Sequence, residues 1–292
     1  MSEIISRACP GGVSVEAPFE TLEEGLAARV DTAQPATVRG YISADDPAAA
    51  NASIEGVRRD LGHLQAFALR PIGELTTRVV HEEDWAEAWK QHFPVLRVGR
   101  RIVIRPTWRD HSATAGDVVI SLDPGMAFGT GLHPSTRLCL AGIEGLADEG
   151  RVIDERVLDV GCGSGILAIC AGLLGARSVL AVDTDPLAAE VTAQNAAANG
   201  LADLIEARRG TLPLPAAEEF DIVLANLVAG VLVAIAGQLA AVVKPGVGRL
   251  VASGIFRDRE RDVAAAFEAA GLRVIGRSAE TDWVGLQAMR PA

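Results

Sequence analysis

No apolar run in the chain reaches the ~18 residues that a membrane-crossing helix needs, so a soluble protein is expected. The opening stretch MSEIISRACPGG carries Glu3 and lacks a long apolar core, which makes it a poor secretory leader. Cysteine is scarce: Cys9, Cys139, Cys162 and Cys170 show neither CxxC pairing nor metal-ligand spacing. Reduced thiols in the cytoplasm, with no metal site, are therefore expected. A basic surplus is missing as well, since 27 Lys and Arg stand against 38 Asp and Glu for a net charge of −11. That disfavours a nucleic-acid binder and suits either a basic protein partner or plain solubility. The phosphate loop GxxxxGK(S/T), internal repeats and low-complexity segments are all absent. Apolar bulk is plentiful: 292 residues, 49% hydrophobic, are enough for a substantial core and two domains.

Residues 1–93 alternate short apolar runs with loops. SEIISRA reads as a helix and VSVEA as a strand, followed by a helix over TLEEGLAARV with Thr21 as cap and Glu24 as its reciprocal partner. ATVRGYIS and ELTTRVVHE read as strands around an amphipathic helix, NASIEGVRRDLGHL. The pattern predicts a small α+β domain with helices on one antiparallel sheet. Trp85 and Trp89 lie four apart on one helical face, as packing residues do. VGRRIVIRPTW is a strand or extended connector, and the polar stretch from Pro106 to Thr114 marks the boundary, which makes 94–112 a linker.

From residue 113 to 292 the rhythm becomes strand, turn, helix. RVLDV, SVLAVD, LIEARRG, FDIVLANL and GRLVASGI are short apolar strands, with LRVIGRSA and DWVGLQAMR as a closing hairpin. Between them run the helices ILAICAGLLGA, ended by Gly175, PLAAEVTAQNAAANG, with Pro186 at its start, and VAGVLVAIAGQLAAVV. Seven strands alternating with helices predict a doubly wound, mostly parallel α/β sheet, Rossmann-like, with the hairpin as an antiparallel edge.

Two glycine clusters lie in this region: LDPGMAFGTGLHPSTRL (122–138) and VLDVGCGSGILAI (157–169). The second is a strand running into Gly161, Gly163 and Gly165 and then a helix, the place where an open α/β sheet binds ligands. Asp183 ends the next strand, 22 residues after Gly161, where it can accept from ribose hydroxyls. A dinucleotide fold spaces its glycines GxGxxG, and here the third comes one residue early. Asp159 adds a carboxylate that would repel a pyrophosphate and suits a cationic methionine-type ammonium. S-adenosylmethionine is thus favoured over NAD. Asn226 reaches the same carboxyl edge, where it can accept from an incoming amine or cap the helix that follows.

The first cluster precedes the sheet, and its Phe128, Gly129 and Thr130 can pack over the bound ligand. Pro134 can start a helix, which puts His133 near the N-cap and the Thr136 hydroxyl, with free N–H groups, against a ligand carboxylate. His133 is the residue to consider as a general base, although methyl transfer to an amine needs only a neutral lone pair.

Together, DPGMAFGTGLHPST, VLDVGCGSGILAI, VDTDPLA, ANLVAGVL and SGIF resemble the bacterial ribosomal protein L-eleven methyltransferases (PrmA type), over roughly residues 80–290. The resemblance implies a class I S-adenosylmethionine-dependent methyltransferase fold. It assigns cofactor contacts to Thr136, Gly161, Asp183 and Asn226. It also implies methylation of lysine ε-amines and the N-terminal α-amine of that ribosomal protein, with the N-terminal domain as recognition module. The family opens with a strand before its first helix; this sequence begins inside that helix, so either an edge strand is missing or the start is late. Other readings are another protein or small-molecule amine as substrate, a glutamine amide or nucleobase, a non-catalytic adenosyl-ligand module, and a dehydrogenase. Amide and nucleobase enzymes carry Asn-Pro-Pro and an aromatic where this chain has Asn226-Leu227-Val228.

Overall fold

The computed structural model describes residues 4–5, 8–9, 13–16, 19–21, 28–30, 36–40, 42–43, 46–66, 73–77, 93–123, 131–214 and 218–292. Among them no helix is long and apolar enough to cross a membrane. Two compact units divide the chain, Met1–Lys90 and Gln91–Ala292.

In the first unit, β1 (Val13–Glu16) pairs antiparallel with β4 (Thr37–Gly40), and β2 (Phe19–Thr21) with β3 (Ala28–Val30). The helix expected over 21–30 is therefore not formed at its two ends, which are strands: pairing with a partner outweighs local helix preference. Helix α1 spans Pro47–Ala66. It starts four residues before the amphipathic pattern because the Asp46 carboxylate caps it, accepting from Ala48 N and Ala49 N at 3.0 and 3.1 Å, with Pro47 at the first position. Ile5, Cys9, Val57 and Leu61 form its small core. Residues 74–77 of the expected 74–82 strand have no regular structure, and the rest of it lies outside the described residues. Glu24, Trp85 and Trp89 lie outside the described residues.

The second unit takes in the stretch expected to be a linker. β5 (Leu96–Val98) and β6 (Ile102–Arg105) form a hairpin, and β7 (Val118–Ser121) runs parallel to β6. Val98, Ile102 and Ile104 are buried in the core. Of the expected 94–112 linker, the stretch read as a strand or extended connector is thus a hairpin, and Ile102, Val103 and Ile104 are buried along its second strand.

The main sheet has seven strands: β8 (Arg156–Val160), β9 (Ser178–Asp183), β10 (Ile205–Arg209), β11 (Ile222–Asn226), β12 (Arg249–Phe256), β13 (Arg273–Glu280) and β14 (Trp283–Met289). Their order is β10-β9-β8-β11-β12-β14-β13. The first five are parallel and β14 is antiparallel to both neighbours. The hairpin thus does not place its antiparallel strand at the edge. β14 inserts between β12 and β13, and the edge strand β13 runs with the parallel set.

Seven-residue α6 (Ala236–Val242) and six-residue α5 (Ala229–Ala234) replace the single helix expected over 228–243. The break is Ile235, with ψ of 11°. With α7 (Glu260–Ala269) they cover one sheet face, where Leu158, Val160, Leu180 and Val223 point. The other face carries α2 (Pro134–Asp148), α3 (Ile166–Leu173), α4 (Pro186–Ala198) and the small sheet, over Val157, Val179, Ala181 and Leu224. The strands read as continuous apolar runs because both faces are covered.

Glu144 of α2 ties the β5–β6 hairpin down. It is buried, and its carboxylate accepts from Arg101 N at 2.7 Å and Arg100 N at 3.0 Å. Glu144→Ala strands both N–H groups and is expected to cost about 1–3 kcal/mol in urea denaturation. An unchanged midpoint at unchanged slope would show that the hairpin does not depend on it.

Candidate active site

Strand β8 ends at Val160 and the chain turns through Gly161–Gly165 into α3. Gly161 adopts φ of 76°, and a Cβ there would collide with the Leu227 side chain. Leu227 follows β11 and is itself set by Gly254, where any Cβ would meet the Leu227 backbone. The turn and the loop after β11 are therefore packed directly on each other.

Asp183 closes β9 beside this turn. Its Oδ2 accepts from Gly163 N at 3.0 Å and its Oδ1 from Asp185 N at 3.0 Å. Each oxygen keeps lone-pair capacity for a hydroxyl donor. Asp159 shares the helix-α3 side of β8 with Val157 and is fully buried. Its Oδ2 accepts from Ala168 N at 3.1 Å, while its Oδ1 has no partner. Burial pushes its carboxyl up to about 7; the Ala168 N–H opposes this and the Asp183 charge adds to it.

Asn226 is the last residue of β11, and its Nδ2 donates to Thr136 Oγ1 at 3.2 Å across ninety positions of sequence. The helix cap that Asn226 was a candidate for is Val228. Thr136 is buried in the first turn of α2. Its N–H is engaged with His133 O, and Ser135 N with His133 Nδ1, so the free N–H groups expected there are already used. The Thr136 hydroxyl hydrogen remains to donate.

His133 is the N-cap of α2, with Nδ1 2.7 Å from Ser135 Oγ. Its ring meets Trp283 edge-on at 4.5 Å between centroids, and Trp283 packs on Phe256 at 4.2 Å. Desolvation, and secondarily the Arg137 charge, lower its pKa, so the imidazole is neutral at pH 7. Phe128, Gly129 and Thr130 lie outside the described residues.

Several residues here escape a linear reading. Phe256 ends β12 at the carboxyl edge, and Trp283 reaches it there because β14 runs antiparallel beside β12. Gly254 looks like an ordinary strand residue until the bulge between Ala252 and Ile255 is seen. A cleft lined by Arg156, Asp221 and Lys244 opens at the opposite, amino edge, away from where such sheets bind ligands. Its lysine is paired with Asp221 at 2.7 Å.

S-adenosylmethionine is an adenosine with a sulfonium and an ammonium, so it needs ribose acceptors and anionic surroundings. The site fits both. Asp159 and Asp183 flank the glycine turn with no ion-pair partner among the described residues, and Asp159 Oδ1 is an unsatisfied buried acceptor.

Comparison with known proteins agrees. The family model described as Ribosomal protein L11 methyltransferase (PrmA) matches residues 2–291. The chain belongs to that family. The match reaches well upstream of the 80–290 span that carries the motifs. A Ribosomal protein L11 methyltransferase of Chloroflexus aurantiacus is 43% identical over 318 residues, covering 100% of this chain and 94% of that one. One from Geobacter sulfurreducens is 47% identical over 257 residues, covering 87% and 82%. The crystal structure of ribosomal protein L11 methylase from Lactobacillus delbrueckii subsp. bulgaricus is 32% identical. It covers 68% of this chain and 100% of its own, with a TM-score of 0.60.

Two outcomes are expected of this PrmA-family site. Asp183→Ala should weaken S-adenosylmethionine binding by about 1–3 kcal/mol, read by calorimetry; equal affinity would remove Asp183 from the site. Asp159, held protonated up to about 7 against 3.8 in the unfolded chain, costs the cofactor-free protein stability progressively as pH rises between those values. Asp159→Asn should therefore gain melting temperature relative to the parent on going from pH 4 to pH 8. A constant difference across that range would contradict the assignment.

Proposed function

We propose that the protein methylates ribosomal protein L11 with S-adenosylmethionine, on lysine ε-amines and the N-terminal α-amine. The hydrogen bond between Asn226 and Thr136, beside the Gly161 turn, carries this reading. One Nδ2 hydrogen goes to Thr136, and the Asn226 Oδ1 is the acceptor assigned to an amine N–H. The buried Thr136 hydroxyl is placed to donate to the cofactor's carboxylate, Asp183 to accept from its ribose, and Asp159 to face its ammonium.

When bound, S-adenosylmethionine supplies a methyl group on a positively charged sulfur. Transfer to the amine would leave the cofactor as a neutral thioether, and the proton shed by the methylated amine would pass to solvent. The chain's own part is to hold the amine neutral and aligned. Desolvation beside Leu227 and Trp283 lowers the amine's pKa, and Asn226 directs its lone pair. Proximity and orientation of this kind are worth about 7–11 kcal/mol. His133 is occupied as the N-cap of α2 and packs on Trp283, so the reading gives it a structural part rather than that of a base.

The first unit, Met1–Lys90, is assigned to substrate recognition, which is supported by the reach of the family match to residue 2. The net charge of −11 suits a basic protein surface.

Incubation with the purified ribosomal protein and methyl-labelled cofactor should place label on lysine and α-amines, located by mass spectrometry. Asn226→Ala should lower kcat about 100-fold, the scale of a lost alignment. Label on glutamine, or on RNA, would overturn the substrate class.

A further inference from the structure

One face of α4 is polar where a helix packed against a sheet is ordinarily apolar. Thr192, Asn195 and Asn199 follow one another at helical spacing along it. Thr192 Oγ1 donates to Gly163 O at 3.1 Å and Asn195 Nδ2 to Ser164 O at 2.8 Å, so two of the three hold carbonyls of the glycine turn. Thr192 also fills the space against Gly165, where a Cβ would lie 2.8 Å from its Cγ2.

Asn199 does something else. β7 is the outer strand of its three-stranded sheet, paired with β6 on one side. On the other side, Asn199 Oδ1 accepts from Ser121 N at 2.8 Å and Asn199 Nδ2 donates to Ser121 O at 2.8 Å. The carboxamide stands in for a neighbouring strand's peptide group. A second bond from Nδ2 to Asn195 O, 2.8 Å, sets its orientation. An asparagine serving only to end a helix would satisfy that helix's own carbonyls; this one bonds a strand 78 positions away.

Ser121 is the last residue of β7, and Gly131 lies in the first glycine-rich segment just before α2. Gly131 has φ of 83°; a Cβ there would collide with Ile104 and lie 3.3 Å from Cδ1 of Ile166, the first residue of α3. Ser121 is thus bonded to α4, which holds carbonyls of the second glycine turn, and Gly131 packs near the start of α3, which follows that turn.

We propose that Thr192, Asn195 and Asn199 act as a positioning ladder that sets the distance between strand β7 and the second glycine turn, with Asn199 linking cofactor binding to strand β7. The inference rests on the reading that S-adenosylmethionine binds at the second glycine turn. None of the three residues is asked to touch the reacting atoms, so the signature is in binding rather than in chemistry.

Asn199→Ala should raise the S-adenosylmethionine Kd and KM at least tenfold while kcat at saturating cofactor stays within twofold. Gln194→Ala, on the exposed side of the same helix, should change neither. Hydrogen exchange on the unaltered protein gives a measurement independent of any folding defect: cofactor should slow amides of 118–122 together with those of 161–165. Wild-type affinity in Asn199→Ala would overturn the proposal. So would protection of 161–165 with 118–122 unchanged. Absence of cofactor binding by the unaltered protein would overturn the reading of the site itself, and the ladder with it.

Discussion

Asp183 sits where β9 ends, and each of its oxygens accepts a backbone N–H, one from Gly163 and one from Asp185. The first bond crosses from the second strand of the parallel set to the turn after the first. It holds a run of glycines, otherwise the least constrained backbone in the chain, in one conformation without filling the space their missing side chains leave open. The rest of the site is built outward from that clamp. Leu227 can approach because Gly161 is bare, Gly254 lets Leu227 settle, and Asn226 just before it meets Thr136 from the opposite side of the sheet edge.

Charge follows the same logic. Carboxylates in folded proteins ordinarily find cations, and this chain pairs many of its surface ones, such as Asp221 with Lys244 and Glu260 with Arg277. Asp159 and Asp183 are treated differently, held by neutral N–H donors beside a concave backbone. Such an arrangement leaves acceptor oxygens unspent where a sulfonium and an ammonium would sit. It also explains why a phosphate-bearing ligand is a poor match despite the shared sheet architecture.

Much of this was readable in one dimension. Val157, Leu158 and Val160 announce a strand covered on both faces, and the glycine spacing with Asp183 points to an adenosine ligand rather than a dinucleotide. Thr136, Gly161, Asp183 and Asn226 come together at one edge because a parallel sheet delivers every strand's carboxyl end to the same place. Linear reading failed where long-range pairing decides. The 21–30 segment has helical composition and becomes two strand ends; the strand or connector read in VGRRIVIRPTW is half of a hairpin sealed by Glu144. The reading of free N–H groups at the start of α2 failed for a local reason instead: His133, two and three residues away, takes those of Ser135 and Thr136.

Residue order alone therefore settled the class of fold, the family and the chemistry of the cofactor turn, because those depend on periodicity and on short motifs whose geometry is local. The insertion of β14 between β12 and β13, the arrival of Trp283 beside His133, and the bonding of Asn199 to Ser121 belong to the folded chain only. Each joins groups tens of residues apart, and such partners are selected by the closure of the core around them, not by any preference a short peptide would express.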